Sequence, residues 1–120
     1  GKKNKKALLR KIKKNQKKLK FYSKSAPMNF EHKYKLIQAE IFRINGKEIK
    51  ARPLYDESIR IARQNEYLHE EGIANECAAR FWISLGQNNV AGIYLRNAYL
   101  CYSVWGAGSK LVHFNLLTFQ

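Results

Sequence analysis

Apolar residues recur along the chain at steps of three and four, the period that gathers side chains on one face of an α-helix. The cleanest stripe is Phe30, Tyr34, Ile37, Ile41 and Ile44. It predicts a helix from Phe30 to Asn45, with Asn29 as N-cap and Asn45-Gly46 as C-cap and turn. A helix over Glu48–Gln64 follows, with Ala51, Leu54, Tyr55, Ile59 and Ala62 on its apolar side. Pro53 lacks an amide donor, which predicts a late start or a small kink there. Asn65-Glu66-Tyr67 connects to a third helix over Leu68–Leu85, closed by Gly86. Gln87-Asn88-Asn89 opens a fourth helix that ends at Trp105, before the breaker Gly106-Ala107-Gly108. Upstream, residues 2–24 align Leu8, Ile12, Leu19 and Tyr22 and put Lys on the other faces. Ser25-Ala26-Pro27 ends that helix, because the residue before a proline disfavours the α region. The closing KLVHFNLLTFQ, with Ser109 before it as a candidate N-cap, reads as a short helix with a strand as the alternative.

Sliding the chain by forty residues superposes the middle helices. Ala39 falls on Ala79, Phe42 on Trp82, Gly46 on Gly86 and Ala51 on Ala91. Tyr55 falls on Leu95, Ser58 on Ala98 and Ala62 on Tyr102. Small residues let antiparallel helices approach closely and large ones fill the space between pairs, which is the logic of a helical solenoid. This register resembles the tetratricopeptide repeat, with small residues at Ala39/Ala79, Ala51/Ala91 and Ser58/Ala98 and aromatic ones at Phe42/Trp82 and Tyr55. The period departs from that family's 34 residues, and the Trp and Leu-Gly usual early in its first helix are absent. The expected fold is all-α: antiparallel helix-turn-helix repeats, a tetratricopeptide-like α-solenoid of five to six helices. Its expected parts are a basic amphipathic helix (1–26), a first repeat (27–66), a second repeat (67–106) and a C-terminal helix or extension (107–120).

Charge changes the picture only at one end. Of a formal +14, residues 1–24 contribute +12 with no acid among them, which leaves the remaining 96 residues at +2. Three readings of residues 2–24 compete: a solvated basic face, nucleic-acid or anionic-membrane binding, and partner binding. The first leads, because aromatic residues are not interleaved among the lysines as base-stacking platforms would require. No apolar run approaches the roughly 18 residues of a membrane span, and the basic N-terminus precedes no unbroken apolar stretch of a secretory signal. The start at Gly1 reads as that of an excised fragment. Cys77 and Cys101 lie inside apolar helical runs and read as reduced core thiols, which points to the cytoplasm.

Particular phrases carry a further resemblance. Ala26-Pro27-Met28-Asn29-Phe30, His32-Lys33-Tyr34, Leu54-Tyr55-Asp56, Glu70-Glu71 through Ala78-Ala79-Arg80-Phe81, and Cys101-Tyr102 with Trp105-Gly106-Ala107 are similar to a helical region of large bacterial multi-sensor signalling kinases. Those proteins join a serine/threonine-kinase-like domain, an AAA-type ATPase, helical repeats, a GAF sensor and often a histidine kinase. The resemblance implies a non-catalytic scaffold or relay whose partners are proteins or neighbouring domains of the same chain. It covers roughly residues 15–110; the Lys-rich start and the apolar LVHFNLLTFQ depart from it.

Candidate chemistry is sparse. His32, His69 and His113 are scattered, with no i, i+4 pair of the kind a zinc site uses. His69 with Glu70-Glu71 hints at acid–base work, but carboxylates at a helix start are simpler as partners of the helix dipole. Ser103 and Ser109 have no base nearby in sequence. Asn75, Glu76 and Arg80 share a helix and read as surface or inter-helix contacts before groove residues. No catalytic, cofactor-binding or metal-ligating residue is expected, nor a small-molecule substrate. The alternative is nucleic-acid or anionic-membrane binding through residues 2–24.

Overall fold

A computed structural model of the chain describes residues 1–106. The C-terminal extension 107–120, with Ser109 and His113, lies outside them. Five α-helices run in order: α1 (Lys2–Ser25), α2 (Pro27–Ile44), α3 (Glu48–Gln64), α4 (Leu68–Ser84) and α5 (Asn88–Trp105). Successive helices pack on one another, α1 on α2 through to α4 on α5. The chain is an all-α helical repeat.

The repeat is paced by its turns. Gly46, Glu66, Gly86 and Gly106 all adopt positive φ, between 64° and 83°, and stand twenty residues apart. The turns after α2, α3 and α4 close alike. Gly46 N–H donates to the Arg43 carbonyl and Lys47 N–H to that of Phe42; Glu66/Tyr67 and Gly86/Gln87 repeat both bonds. Helix plus turn therefore occupies twenty residues, and the forty-residue period is two such units. Glycine enters the left-handed region without the steric penalty that Glu66 bears.

The expected small positions sit where the helices meet. Ala39, Ala79, Ala51, Ala91, Ser58 and Ala98 are all buried, and Tyr55 and Tyr102 are the largest fully buried side chains. One pair of positions swaps size between copies. His32 and Ala62 in the first copy correspond to Gly72 and Tyr102 in the second. A Cβ added at Gly72 would lie 2.7 Å from Tyr102 Cε1. The missing side chain of α4 thus makes room for the ring of α5.

Three expectations at helix ends and faces are corrected. α2 starts at Pro27, two residues before Asn29, because a proline at the first position has a helical φ and needs no amide partner; the Asn29 side chain instead accepts from the Tyr67 hydroxyl (2.6 Å). α3 spans the expected Glu48–Gln64 with Pro53 inside it, so of the two outcomes expected at Pro53 the late start does not occur. The carbonyl left without an amide belongs to Ile49, a residue 83% exposed, where water can satisfy it. The packing line of α1 is Leu9, Ile12, Gln16, Leu19 and Ser23, whereas Leu8 and Tyr22 are exposed. Two polar side chains in that seam hid it from a count of apolar residues.

Candidate functional site

Two cavities lie where α1 crosses the face shared by α2 and α4. One, of about 370 Å³, is lined by Leu9, Ile12, Gln16 and Leu19 of α1, by Ile37, Ile41 and Ile44 of α2, and by Cys77 of α4. The other, of about 250 Å³, is lined by Leu19, Leu36 and Ile37 and by the polar set His32, Lys33, Ser58 and Glu70. Leu19, Leu36 and Ile37 border both, so the two form one groove with a largely apolar exposed wall and the polar set His32, Lys33, Ser58 and Glu70 gathered at one end. Gln16 holds α1 across it, donating from Nε2 to the Tyr34 carbonyl (2.7 Å) and to Gln38 Oε1 (3.2 Å).

At the polar end the buried His32 ring donates from Nε2 to Glu70 Oε2 at 2.9 Å and stacks on Tyr67 at 4.8 Å between centroids. Because an ionised carboxylate only accepts, Nε2 carries the proton. Lys33 Nζ reaches the other Glu70 oxygen at 3.3 Å. Burial works to raise the Glu70 carboxyl, but the bonds and charges of His32 and Lys33 outweigh it and hold it below its ordinary value. Ser58 is buried beside them, yet its hydroxyl donates to the His32 main-chain carbonyl (2.8 Å), not to the ring. The geometry has serine, histidine and glutamate without the serine-to-imidazole bond on which nucleophilic catalysis depends.

The candidate residues of the sequence disperse. His69 stacks on Trp105 at 4.1 Å, Glu70 faces His32, and Glu71 takes a bond from Arg63 Nε at 2.9 Å. Three consecutive residues thus serve three different neighbours. Asn75 is fully buried and donates to the Glu71 carbonyl, while Glu76 and Arg80 pair with each other at 3.5 Å. Ser103 is exposed. Both cysteines are free thiols. Burial pushes Cys77 up to about 11, and burial with Glu71 pushes Cys101 up to about 12, so neither forms a thiolate near neutrality. Among the described residues no three His, Cys, Asp or Glu side chains gather as metal ligands, and no helix is long and apolar enough to cross a membrane.

What sequence reasoning missed is the function of the polar groups as ties between copies. Asn29–Tyr67, His32–Glu70 and Asp56–Tyr94 are hydrogen-bonded pairs, each separated by 38 residues. The first two join α4 and the turn before it to α2, and the third joins α5 to α3. One inter-copy relation therefore recurs in both helix layers. Its signal in the sequence was an offset near the repeat length, which a search for i, i+4 pairs passes over.

Over 70 aligned residues, taking in 50% of this chain, the sequence is 35% identical to hybrid signal transduction histidine kinase G of Dictyostelium discoideum. The match spans 2% of that protein's length. No family model matches the chain. No solved structure matches it either. The chain is a helical repeat with sequence similarity to a segment of a signal-transduction histidine kinase.

Proposed function

We propose that this chain is a non-catalytic, tetratricopeptide-like scaffold or relay segment of a cytoplasmic signalling kinase, holding neighbouring domains or protein partners in register. The bacterial multi-sensor setting is part of the reading; the matched kinase itself comes from Dictyostelium. The observation that carries it is the destination of the polar side chains. His32, Asn29, Tyr67, Glu70, Asp56 and Tyr94 are consumed in bonds between repeat copies, which suits mechanical coupling.

The contact surface of such a relay is the outer face of α5. Ile93, Leu100 and Val104 lie on one side of that helix, spaced seven and four, and are 63%, 50% and 77% exposed. The equivalent positions of α3 are Pro53, Arg60 and Gln64. An apolar face on the second copy alone suits a neighbouring helix or domain. The test is a phosphotransfer assay on the kinase polypeptide that carries this segment, with Ile93→Lys and Val104→Lys introduced together. Both positions are exposed, so the fold should persist. Basal activity should continue while the response to the input signal is lost; an unchanged response would overturn the relay reading.

A further inference from the structure

The outward face of α1 has no counterpart elsewhere in the molecule. Its packing line, Leu9 to Ser23, faces α2, and at 100° per residue the opposite side carries Lys3, Arg10, Lys14, Lys17, Phe21 and Lys24. None of the twelve cations of residues 1–24 pairs with a carboxylate among the described residues, and no acid lies in that segment. Phe21 stands on this side near the C-terminal end of α1, 66% exposed. The half-exposed Tyr22 adjoins Phe21 with ring centroids 6.0 Å apart.

We infer that α1 is a peripheral docking surface for anionic lipid bilayers, with Phe21 entering the headgroup layer and the flanking lysines resting on lipid phosphates. A helix that lies along a membrane needs a cationic flank and a large apolar tip on the same side, and neither alone gives stable attachment. Each lysine near an anionic surface contributes about a fivefold gain in partitioning, and the gain falls off within a Debye length. The apolar tip is what favours a bilayer over a nucleic acid. One exposed ring offers no row of faces on which successive bases could stack, whereas Phe21 gains by leaving water. Because Phe21 sits near the end of the cationic stripe, it can enter without unfolding α1.

The test is flotation of the full chain with phosphatidylcholine vesicles, with and without phosphatidylserine, at low and physiological salt. The expected result is binding to the serine-lipid vesicles alone, weakening as salt rises. Phe21→Ala should reduce partitioning about tenfold, and Lys14→Glu with Lys17→Glu should abolish it. Lys47→Glu with Arg96→Glu makes the same charge change away from α1 and should reduce binding far less than the α1 pair. Circular dichroism checks that each variant remains helical. Equal binding to neutral vesicles, no binding at low salt, or an apolar-tip variant that binds like the parent would overturn the proposal. So would tight binding to duplex DNA with none to vesicles, which would make α1 a nucleic-acid surface.

Discussion

At the scale of single residues, three positions carry energies that the structure makes readable. Glu66 is the one described non-glycine residue with positive φ, in a turn that elsewhere uses glycine. The left-handed region costs an L-residue about 1–2 kcal/mol, and glycine gives back part of that as chain entropy. Glu66→Gly should therefore stabilise the fold by roughly 0.5–1 kcal/mol in urea unfolding. Gly72 is the opposite case. Its added methyl meets the Tyr102 ring and the Cys101 Cβ, so Gly72→Ala should cost about 1–3 kcal/mol. Tyr102→Ala should remove most of that increment, leaving the double variant well short of the sum of the singles. Glu70 gives a pH signature. Its folded pKa is lowered, so it contributes stability above its unfolded value of 4.5, and that contribution is lost as pH falls through the lower folded value. Melting curves of Glu70→Gln should therefore converge on those of the parent below that window and lie under them above it. None of these three positions was legible in the sequence. Gly72 looked like any helical glycine, and Glu66 and Glu70 are defined by a backbone angle and a partner 38 residues away.

Helix existence, by contrast, was legible almost to the residue. The apolar period and the punctuation at Asn45-Gly46, Gly86 and Gly106 located four of five helices within a few positions. The start of α2 was less legible, because Pro27 pre-empted Asn29, while α3 kept its expected span with Pro53 tolerated where the exposed Ile49 carbonyl can be hydrated. α1 was misread for a different reason. The residues it buries are Gln16 and Ser23, a polar pair, while its apolar Leu8 and Tyr22 remain exposed. An element held by so little buried apolar surface opens more readily than one held by Ala74, Ala78 and Phe81. Hydrogen exchange should find the amides of α1 far less protected than those of α4. Equal protection across the two helices would show that α1 is held by more than its visible seam.

For the whole molecule, the sequence carried the architecture and withheld the stitching. Pairing Ala39 with Ala79 and Gly46 with Gly86 was enough to establish two copies, since close helix approach and left-handed turns each restrict residue choice. How the copies join was hidden, because the 38-residue ties depend on how α4 stacks on α2 and α5 on α3. The groove under α1 was hidden too, as it exists only once α1 has docked. Among the described residues, α2–α3 and α4–α5 are two equivalent helix pairs packed through small side chains, with α1 docked on the first. Equilibrium urea unfolding of Ala39→Leu and Ala79→Leu tests that claim most directly. Both alanines have no exposed surface at equivalent places in the two copies. Overpacking either should lower stability by about 1–3 kcal/mol, by similar amounts in each, with the helical signal in water retained. Two variants that unfold at the parent's midpoint would contradict it.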